Sequence, residues 1–164
     1  EAVQRKLEAM SSAAAIDELF RNVGTALLTS VGGAAGAVFG TLFRGGSQNL
    51  SSCSAFDSAA LAHLLADGLT AVKARGQAQP GDKTMVDALE PAALRAQEVS
   101  SASLAEALTE VAEAARQGME KTRDMVATVG KAKTLGERSL GHPDPGAIST
   151  YLILKYMAEY ASGD

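Results

Sequence analysis

Residues 104–128 have the sequence LAEALTEVAEAARQGMEKTRDMVAT. Apolar side chains recur in this stretch every three or four residues, as they do on the buried face of an α-helix. Ser103 and Glu106 have the spacing of a capping box, which predicts where the helix begins. We expect one long helix, Leu104–Thr128, with these side chains facing inward: Leu108, Val111, Ala115, Met119 and Val126.

Helical periodicity continues through most of the remaining sequence, and no convincing run alternates apolar and polar residues. Asp144 and Pro145 suit the N-cap and the first position of a helix. The sequence therefore predicts an all-α domain of about seven helices over residues 1–164. Besides 104–128 these are Glu1–Met10, Ile16 to Thr29, Ala34–Phe43, Phe56–Arg75 with a capping box at Ser54 and Asp57, Met85–Val99 with a kink at Pro91, and Asp144 to Tyr160.

Charge and cysteine content limit the classes of function. The formal net charge of -4 argues against nucleic acid as the main partner, because phosphate backbones require a basic surface. The single cysteine, Cys53, cannot form an internal disulfide, which agrees with a reducing cytoplasm. No stretch of about 18 apolar residues is present, so we expect no membrane span.

The connections between helices are the predicted places for a site, because three of them are rich in Gly, Asp and Pro. Gly32–Gly36 precedes a helix, where free N–H groups suit a phosphate; tight helix packing or a plain turn explains the same glycines. Thr84 offers a hydroxyl and Met85 a thioether that suits an adenine face. The alternative is that Asp82 or Thr84 caps the helix and Met85 is core. The predicted connections are Ser11–Ala15, Gly45–Ser54, Gly76–Lys83 and Gly130–Pro143.

The connection before the last helix carries several charges. Lys131, Lys133 and Arg138 could neutralise a phosphate or could be solvated loop charges. His142 is expected to order the loop, and we assign no catalytic residue in the chain. Asp144-Pro145-Gly146 suits ordinary helix initiation, and a helix beginning there could also face a ligand.

Three segments, taken together and in order, resemble the L subunits of dihydroxyacetone kinases: SVGGAAGAVFGTLF at 30–43, PGDKTMVDALEPA at 80–92 and LGERSLGHPDPGAIS at 135–149. The resemblance implies an antiparallel, up-and-down barrel of about eight helices with a nucleotide in the loops at one end. Ala35 stands where many relatives have Ser, and Lys131 where they usually have Arg. The implied nucleotide contacts are Gly33, Ala34, Ala35, Gly76, Thr84, Met85, Lys131, Asp144, Pro145 and Gly146.

The resemblance also implies magnesium, bound in this family by an Asp-rich loop before the second helix. No counterpart lies in the sequence, so we expect the ligands upstream of Glu1. The first helix and metal loop are then missing from the sequence given, and we favour this because the chain starts within a helical pattern. The alternative is a homologue that has lost the loop.

The implied function is phosphoryl transfer through bound ADP or ATP to dihydroxyacetone held on a separate K subunit. GERSLGHPDPGA, at 136–147, is closer to the bacterial version, in which a phosphotransferase-system protein recharges the ADP. Two alternatives stay open: a fragment of a one-chain, ATP-dependent kinase, and a non-catalytic regulatory or binding module. Helix count adds a further expectation, since two helices separate each successive pair: Gly33, Met85 and Asp144 should share one end of the bundle.

Overall fold

The computed structural model describes residues 1–11 and 14–163, and within these residues it is helical without strands. The all-α prediction is therefore confirmed. The predicted break at Ser11–Ala15 lies partly outside the described residues, at positions 12 and 13. In the same described part of the chain, no helix is long and apolar enough to cross a membrane. The chain divides into two compact units, Glu1–Gln77 and Ala78–Asp164.

The first unit contains four α-helices that pack in chain order, each against the next. The helix predicted to end at Phe43 continues to Gly46. The predicted capping box at Ser54 is wrong, because Asp57 is itself the N-cap and accepts a hydrogen bond from the amide of Ala60 at 2.8 Å. The helices are α1 (Ala2–Glu8), α2 (Ile16–Ser30), α3 (Gly33–Gly46) and α4 (Ser58–Gly76).

The second unit is built on three longer helices, α5 (Val86–Glu98), α6 (Leu104–Lys121) and α7 (Pro145–Ser162). The capping box that opens α6 is confirmed. Helices α5 and α6 pack closely because Gly118 faces the turn of α5 that contains Pro91; a Cβ atom at Gly118 would lie 2.8 Å from the Pro91 Cγ. Pro91 remains inside one continuous helix. The core includes these fully buried side chains: Val86, Leu89, Leu108 and Val111.

The predicted extension of α6 to Thr128 is wrong. The α-helix ends at Lys121, a short 3₁₀ helix follows at Thr122–Asp124, and a longer 3₁₀ helix occupies Lys131–Ser139. Val126, predicted to face inward, is 37% exposed. The helix stops where Thr122 becomes fully buried and its hydroxyl donates back to the carbonyl of Met119 at 2.6 Å.

Candidate functional site

A tight turn at Gly81–Thr84 leads into α5 and is closed by the Asp87 carboxylate from the first turn of that helix. Asp87 Oδ1 accepts from the Gly81 amide at 2.6 Å, and Oδ2 accepts from the Thr84 amide at 2.7 Å. A negative charge at a helix N-terminus is also favoured by the helix dipole. The turn is therefore fixed by a buried side chain to which the sequence assigned no role.

Met85 occupies the buried position that the structural alternative described for it. The Thr84 hydroxyl accepts a hydrogen bond from the amide of Val86 at 3.1 Å, but the N-cap residue of α5 is Met85, so the alternative that Asp82 or Thr84 caps the helix is wrong. Met85 is 5% exposed and belongs to the core of its unit. Neither observation tests contact with a nucleotide, which stays a prediction for both residues.

Asp82 connects this turn to the segment that follows α6. One carboxylate oxygen accepts from the Thr128 hydroxyl, and the other accepts from the Gln79 amide at 2.7 Å. These bonds, with Thr128 the larger cause, hold the pKa of Asp82 below its ordinary value. The amide of Thr128 also donates to the Asp82 carbonyl at 3.3 Å. Asp82 is thus a connector between two loops and does not cap α5.

Lys83 is the most unusual residue of the site. It is 4% exposed, and its backbone has a φ of 60°, in the left-handed region that side chains seldom adopt. Its ammonium nitrogen donates to four backbone carbonyl oxygens at 2.6–3.0 Å, those of Thr122, Met125, Ser139 and His142. Lysine is almost never fully buried without partners, and here backbone oxygens surround the charge.

The start of α7 lies directly against Met85. Asp144 is the N-cap: its carboxylate accepts from the Ala147 amide at 2.8 Å, with Pro145 in the first turn, as predicted. A Cβ atom at Gly146 would lie 3.2 Å from the Cβ and 3.3 Å from the amide nitrogen of Met85, so glycine allows the two turns to meet. We call this meeting of Gly81–Met85 with Asp144–Gly146 the corner.

Burial and charge act together on Asp144. Burial raises the pKa of its carboxyl above the ordinary value, and the nearby Asp87 adds to that rise. Hydrogen bonds from the Ala147 and Gly146 amides and the charge of Lys83 oppose it, without reversing the direction. Asp144 and the buried Lys83 of the corner therefore share one electrostatic environment with Asp87, in the first turn of α5.

The positive residues proposed for phosphate lie in the segment between α6 and α7. Lys131 begins the longer 3₁₀ helix, and Lys131, Lys133 and Arg138 are all exposed. The backbone carbonyl of His142 accepts from Lys83, a bond that does not involve the imidazole, so the loop-ordering role expected of the His142 side chain stays a prediction. The contact of the positive residues with phosphate stays a prediction.

The remaining predicted contacts belong to the first unit. Helix α3 begins at Gly33, after the N-cap Gly32, without a side-chain cap, and the side chains of Ala34 and Ala35 are exposed. Gly76 ends α4, and a Cβ atom there would meet nothing within 4 Å. The sharing of one pocket by Gly33, Met85 and Asp144 stays a prediction; the corner brings together the last two.

The residues present do not fit a metal centre. Over residues 1–11 and 14–163, no group of three or more His, Cys, Asp or Glu side chains is arranged to hold a metal ion. Asp82 and Asp87 already accept from amides of the Gln79–Thr84 turn, and Asp82 also accepts from the Thr128 hydroxyl of the segment after α6. No step of the chemistry can therefore be derived from a metal bound by these side chains.

Comparison with known proteins connects these features to a family. The model of the DAK2 domain matches residues 1–159. The PEP-dependent dihydroxyacetone kinase, ADP-binding subunit DhaL, of Escherichia coli (strain K12) is 38% identical over 142 residues, which cover 85% of this chain and 68% of that subunit. The L-erythrulose 1-kinase of Mycolicibacterium smegmatis is 36% identical over 137 residues, 84% of this chain and 24% of that kinase.

Solved structures agree with the sequence comparison. The crystal structure of the dihydroxyacetone kinase from C. freundii in complex with AMP-PNP and Mg2+ matches with a TM-score of 0.64 and 29% identity. The match covers 88% of this chain, which spans 23% of that kinase chain. The expected dihydroxyacetone kinase L-type fold is thereby confirmed. With its helical units, its three signature segments and these matches over most of its length, the chain belongs to the DAK2 domain family.

Proposed function

We propose that this chain is the nucleotide-binding part of a dihydroxyacetone kinase and works as a phosphotransferase subunit. The observation that carries the proposal is the corner, where two segments that are far apart in sequence and resemble the family meet at Met85 and Gly146. A DhaL subunit named for binding ADP and a kinase crystallised with AMP-PNP and Mg2+ are both similar to this chain and support the same conclusion.

The charges of the corner favour the nucleoside over the phosphates as its occupant. The carboxylates of Asp87 and Asp144 lie close enough to influence each other and would repel a polyphosphate. The amides of Gly81 and Thr84 are already bonded to Asp87. We therefore assign Thr84, Met85, Asp144, Pro145 and Gly146 to the base and ribose.

The phosphates need groups that carry positive charge or open backbone amides. Lys131 supplies an exposed charge. The start of α3, at Gly33, Ala34 and Ala35, supplies helix N-terminal amides without a side-chain cap. We keep these residues, with Gly76, as proposed nucleotide contacts. Magnesium would accompany the phosphates, and its ligands are not among the side-chain clusters of the described residues.

The finer proposal concerns donor and acceptor. We propose bound ADP that a phosphotransferase-system protein recharges, and dihydroxyacetone held on a separate K subunit. The DhaL relatives named PEP-dependent or PTS-dependent support this reading. The erythrulose kinases among the relatives favour a second candidate, an ATP-dependent kinase acting on a related short sugar.

Two buried methionines of the second unit provide a matched test of the corner. Met85 is 5% exposed and Met119 is 6% exposed, so replacing either by Ala removes a similar buried side chain. We expect Met85→Ala to weaken ADP binding by about tenfold, because the thioether and its apolar contact with the base are lost. Met119→Ala should change ADP affinity by less than about threefold at a comparable loss of stability.

Isothermal titration calorimetry of the full-length protein with ADP and magnesium measures both affinities. Equal loss in the two variants would contradict the assignment of Met85 to the base. Transfer of phosphate to dihydroxyacetone or to erythrulose, assayed with and without the K subunit and with either ATP or the phosphotransferase donor, separates the two kinase candidates. Nucleotide binding without transfer in either assay would support the non-catalytic module instead.

A further inference from the structure

The segment Thr122–His142, between α6 and α7, has little apolar burial to hold it. Of its side chains, those of Thr122, Ala127 and Ser139 are buried. Large apolar side chains are instead exposed: Val126 by 37%, Leu135 by 45% and Leu140 by 42%. A segment with so few buried apolar contacts needs another source of order.

The ammonium group of Lys83 holds both ends of the segment in place by hydrogen bonds. Two of its acceptor carbonyls, Thr122 and Met125, lie where the chain leaves α6. The other two, Ser139 and His142, lie where it returns toward α7. An ammonium group has three hydrogens, so four acceptors require at least one shared hydrogen bond. Charge-assisted bonds of this kind are stronger than neutral ones, and they join the two ends through one atom.

The hydrogen bonds of Lys83 also connect, through Thr122, to the start of α7. The Thr122 carbonyl accepts from Lys83, and the Thr122 hydroxyl accepts from the Asp144 amide at 2.8 Å. Thr122 is fully buried, so water cannot replace either bond while the segment is closed. Loss of the hydrogen bonds made by Lys83 would therefore also disturb Thr122 and, through it, the Asp144–Gly146 turn that lies against Met85.

We propose that Lys83 is a positioning residue of the nucleotide site: its buried ammonium holds the Thr122–His142 segment closed, so that Lys131 and the Asp144–Gly146 turn are presented to the nucleotide. This inference rests on the proposed nucleotide function. Lys83 itself does not reach the nucleotide, because its nitrogen is enclosed by backbone oxygens of the segment.

Limited digestion with trypsin tests the closed segment without any nucleotide. Lys131, Lys133 and Arg138 are exposed cleavage sites inside it. Lys83→Met keeps the length of the side chain and removes the charge and the donors. We expect cleavage at these sites to become at least about tenfold faster, since local opening exposes the backbone to the protease. The control is Lys121→Met, the same substitution at the exposed end of α6, which should leave the rate unchanged within about twofold.

The second measurement is ADP affinity in the full-length protein with magnesium. We expect Lys83→Met to weaken binding by about tenfold and Lys121→Met by less than about twofold. Lys83→Arg retains charge and donors in a planar fork, so it should restore part of the resistance to trypsin and part of the affinity. If the Lys83 side chain served in packing alone, Lys83→Arg would instead lose more trypsin resistance and more ADP affinity than Lys83→Met.

Each remaining outcome decides the matter. Unchanged trypsin resistance in Lys83→Met would overturn the proposal whatever happens to ADP. Faster cleavage with unchanged ADP affinity would show that the segment is held by Lys83 but does not serve the site, which also overturns it. Loss of the helical circular dichroism signal would assign Lys83 to the whole unit, against a local role. Absence of ADP binding in the unaltered protein would instead refute the proposed function, and the trypsin result would still stand.

Discussion

The two connections between the helices of the second unit are stabilised in different ways. Between α5 and α6, the chain turns within residues 99–103, through backbone bonds such as that from the Ala102 amide to the Val99 carbonyl at 3.0 Å, and through the capping box of Ser103 with Glu106. Between α6 and α7, order depends on Lys83, from a different part of the chain. The short connection is held by neighbours in sequence, and the long one by a buried charge.

We expect the largest effect on stability at the contact between α5 and α6, on which both connections depend. Gly118→Ala would place a Cβ atom against the Asp87 carbonyl and 2.8 Å from the Pro91 Cγ, so the helices must separate. We expect a loss of about 3 kcal/mol in the free energy of unfolding, measured with urea. Gln117→Ala, at the exposed neighbouring position, is the control and should stay within about 0.5 kcal/mol. A loss below about 1 kcal/mol for Gly118→Ala would mean that the helices adjust freely.

A smaller effect is expected at the long connection itself. Thr122→Val keeps the shape of the side chain but removes the acceptor of the Asp144 amide, which is then buried without a partner. The expected cost is about 2 kcal/mol in urea unfolding, with faster hydrogen exchange at the Asp144 amide. Thr109→Val is the matched control, because Thr109 is exposed and its hydroxyl also bonds a carbonyl of α6, that of Ala105. Equal losses in the free energy of unfolding for the two substitutions would mean that Thr122 does not stabilise the long connection.

The difference between contacts with sequence neighbours and contacts with distant residues also determines which parts of the fold can be predicted from the sequence. The capping box at Ser103 and the N-cap at Asp144 were predicted and confirmed, because each depends on residues three positions apart. The end of α6 was placed at Thr128 and lies at Lys121 instead. Periodicity continues beyond that point, and the bonds that stop the helix come from Thr122 and from Lys83, 39 residues away.

The candidate site shows the same division. The segments containing Met85 and Asp144 were identified from their resemblance to a family, and the structure places them in contact through Gly146. The role of Lys83 could not be predicted, because its acceptors are backbone carbonyls, which every residue possesses. Asp87 was missed for a related reason: it bonds the amides of Gly81 and Thr84, and amides have no sequence signature.

The short connection should respond to loss of its cap alone. Ser103→Ala removes the hydroxyl that accepts from the Glu106 amide and that donates to the Glu106 carboxylate. We expect a loss of about 1 kcal/mol in urea unfolding, with no change in trypsin cleavage at Lys131. Ser101→Ala, in the same connection but outside the capping box, serves as the control. Faster cleavage at Lys131 in the Ser103 variant would show that the two connections are coupled, against the distinction drawn between them.

The smallest effect concerns pH at the end of the long connection, and its sign follows from the raised pKa of Asp144. A carboxyl whose pKa is higher in the folded protein than in the unfolded chain binds a proton more readily when folded. Between the ordinary value of 3.8 and the raised value, the folded state therefore holds more protons, and lowering the pH stabilises it. The same contribution is lost as the pH rises through the folded pKa, because the ionised group is then buried beside Asp87.

Asp144→Asn removes this titration while keeping a side chain that caps helices well. We expect the unfolding free energy of the unaltered protein, minus that of the variant, to increase as the pH is lowered from about 7 to about 4. Urea unfolding of both proteins at steps of pH measures this difference, in which groups that do not interact with Asp144 cancel. A difference that falls with decreasing pH would mean that Lys83 and the amides of Gly146 and Ala147 outweigh burial. The hydrogen bonds from these amides, with the charge of Lys83 as a smaller contribution, would then decide the ionisation of Asp144.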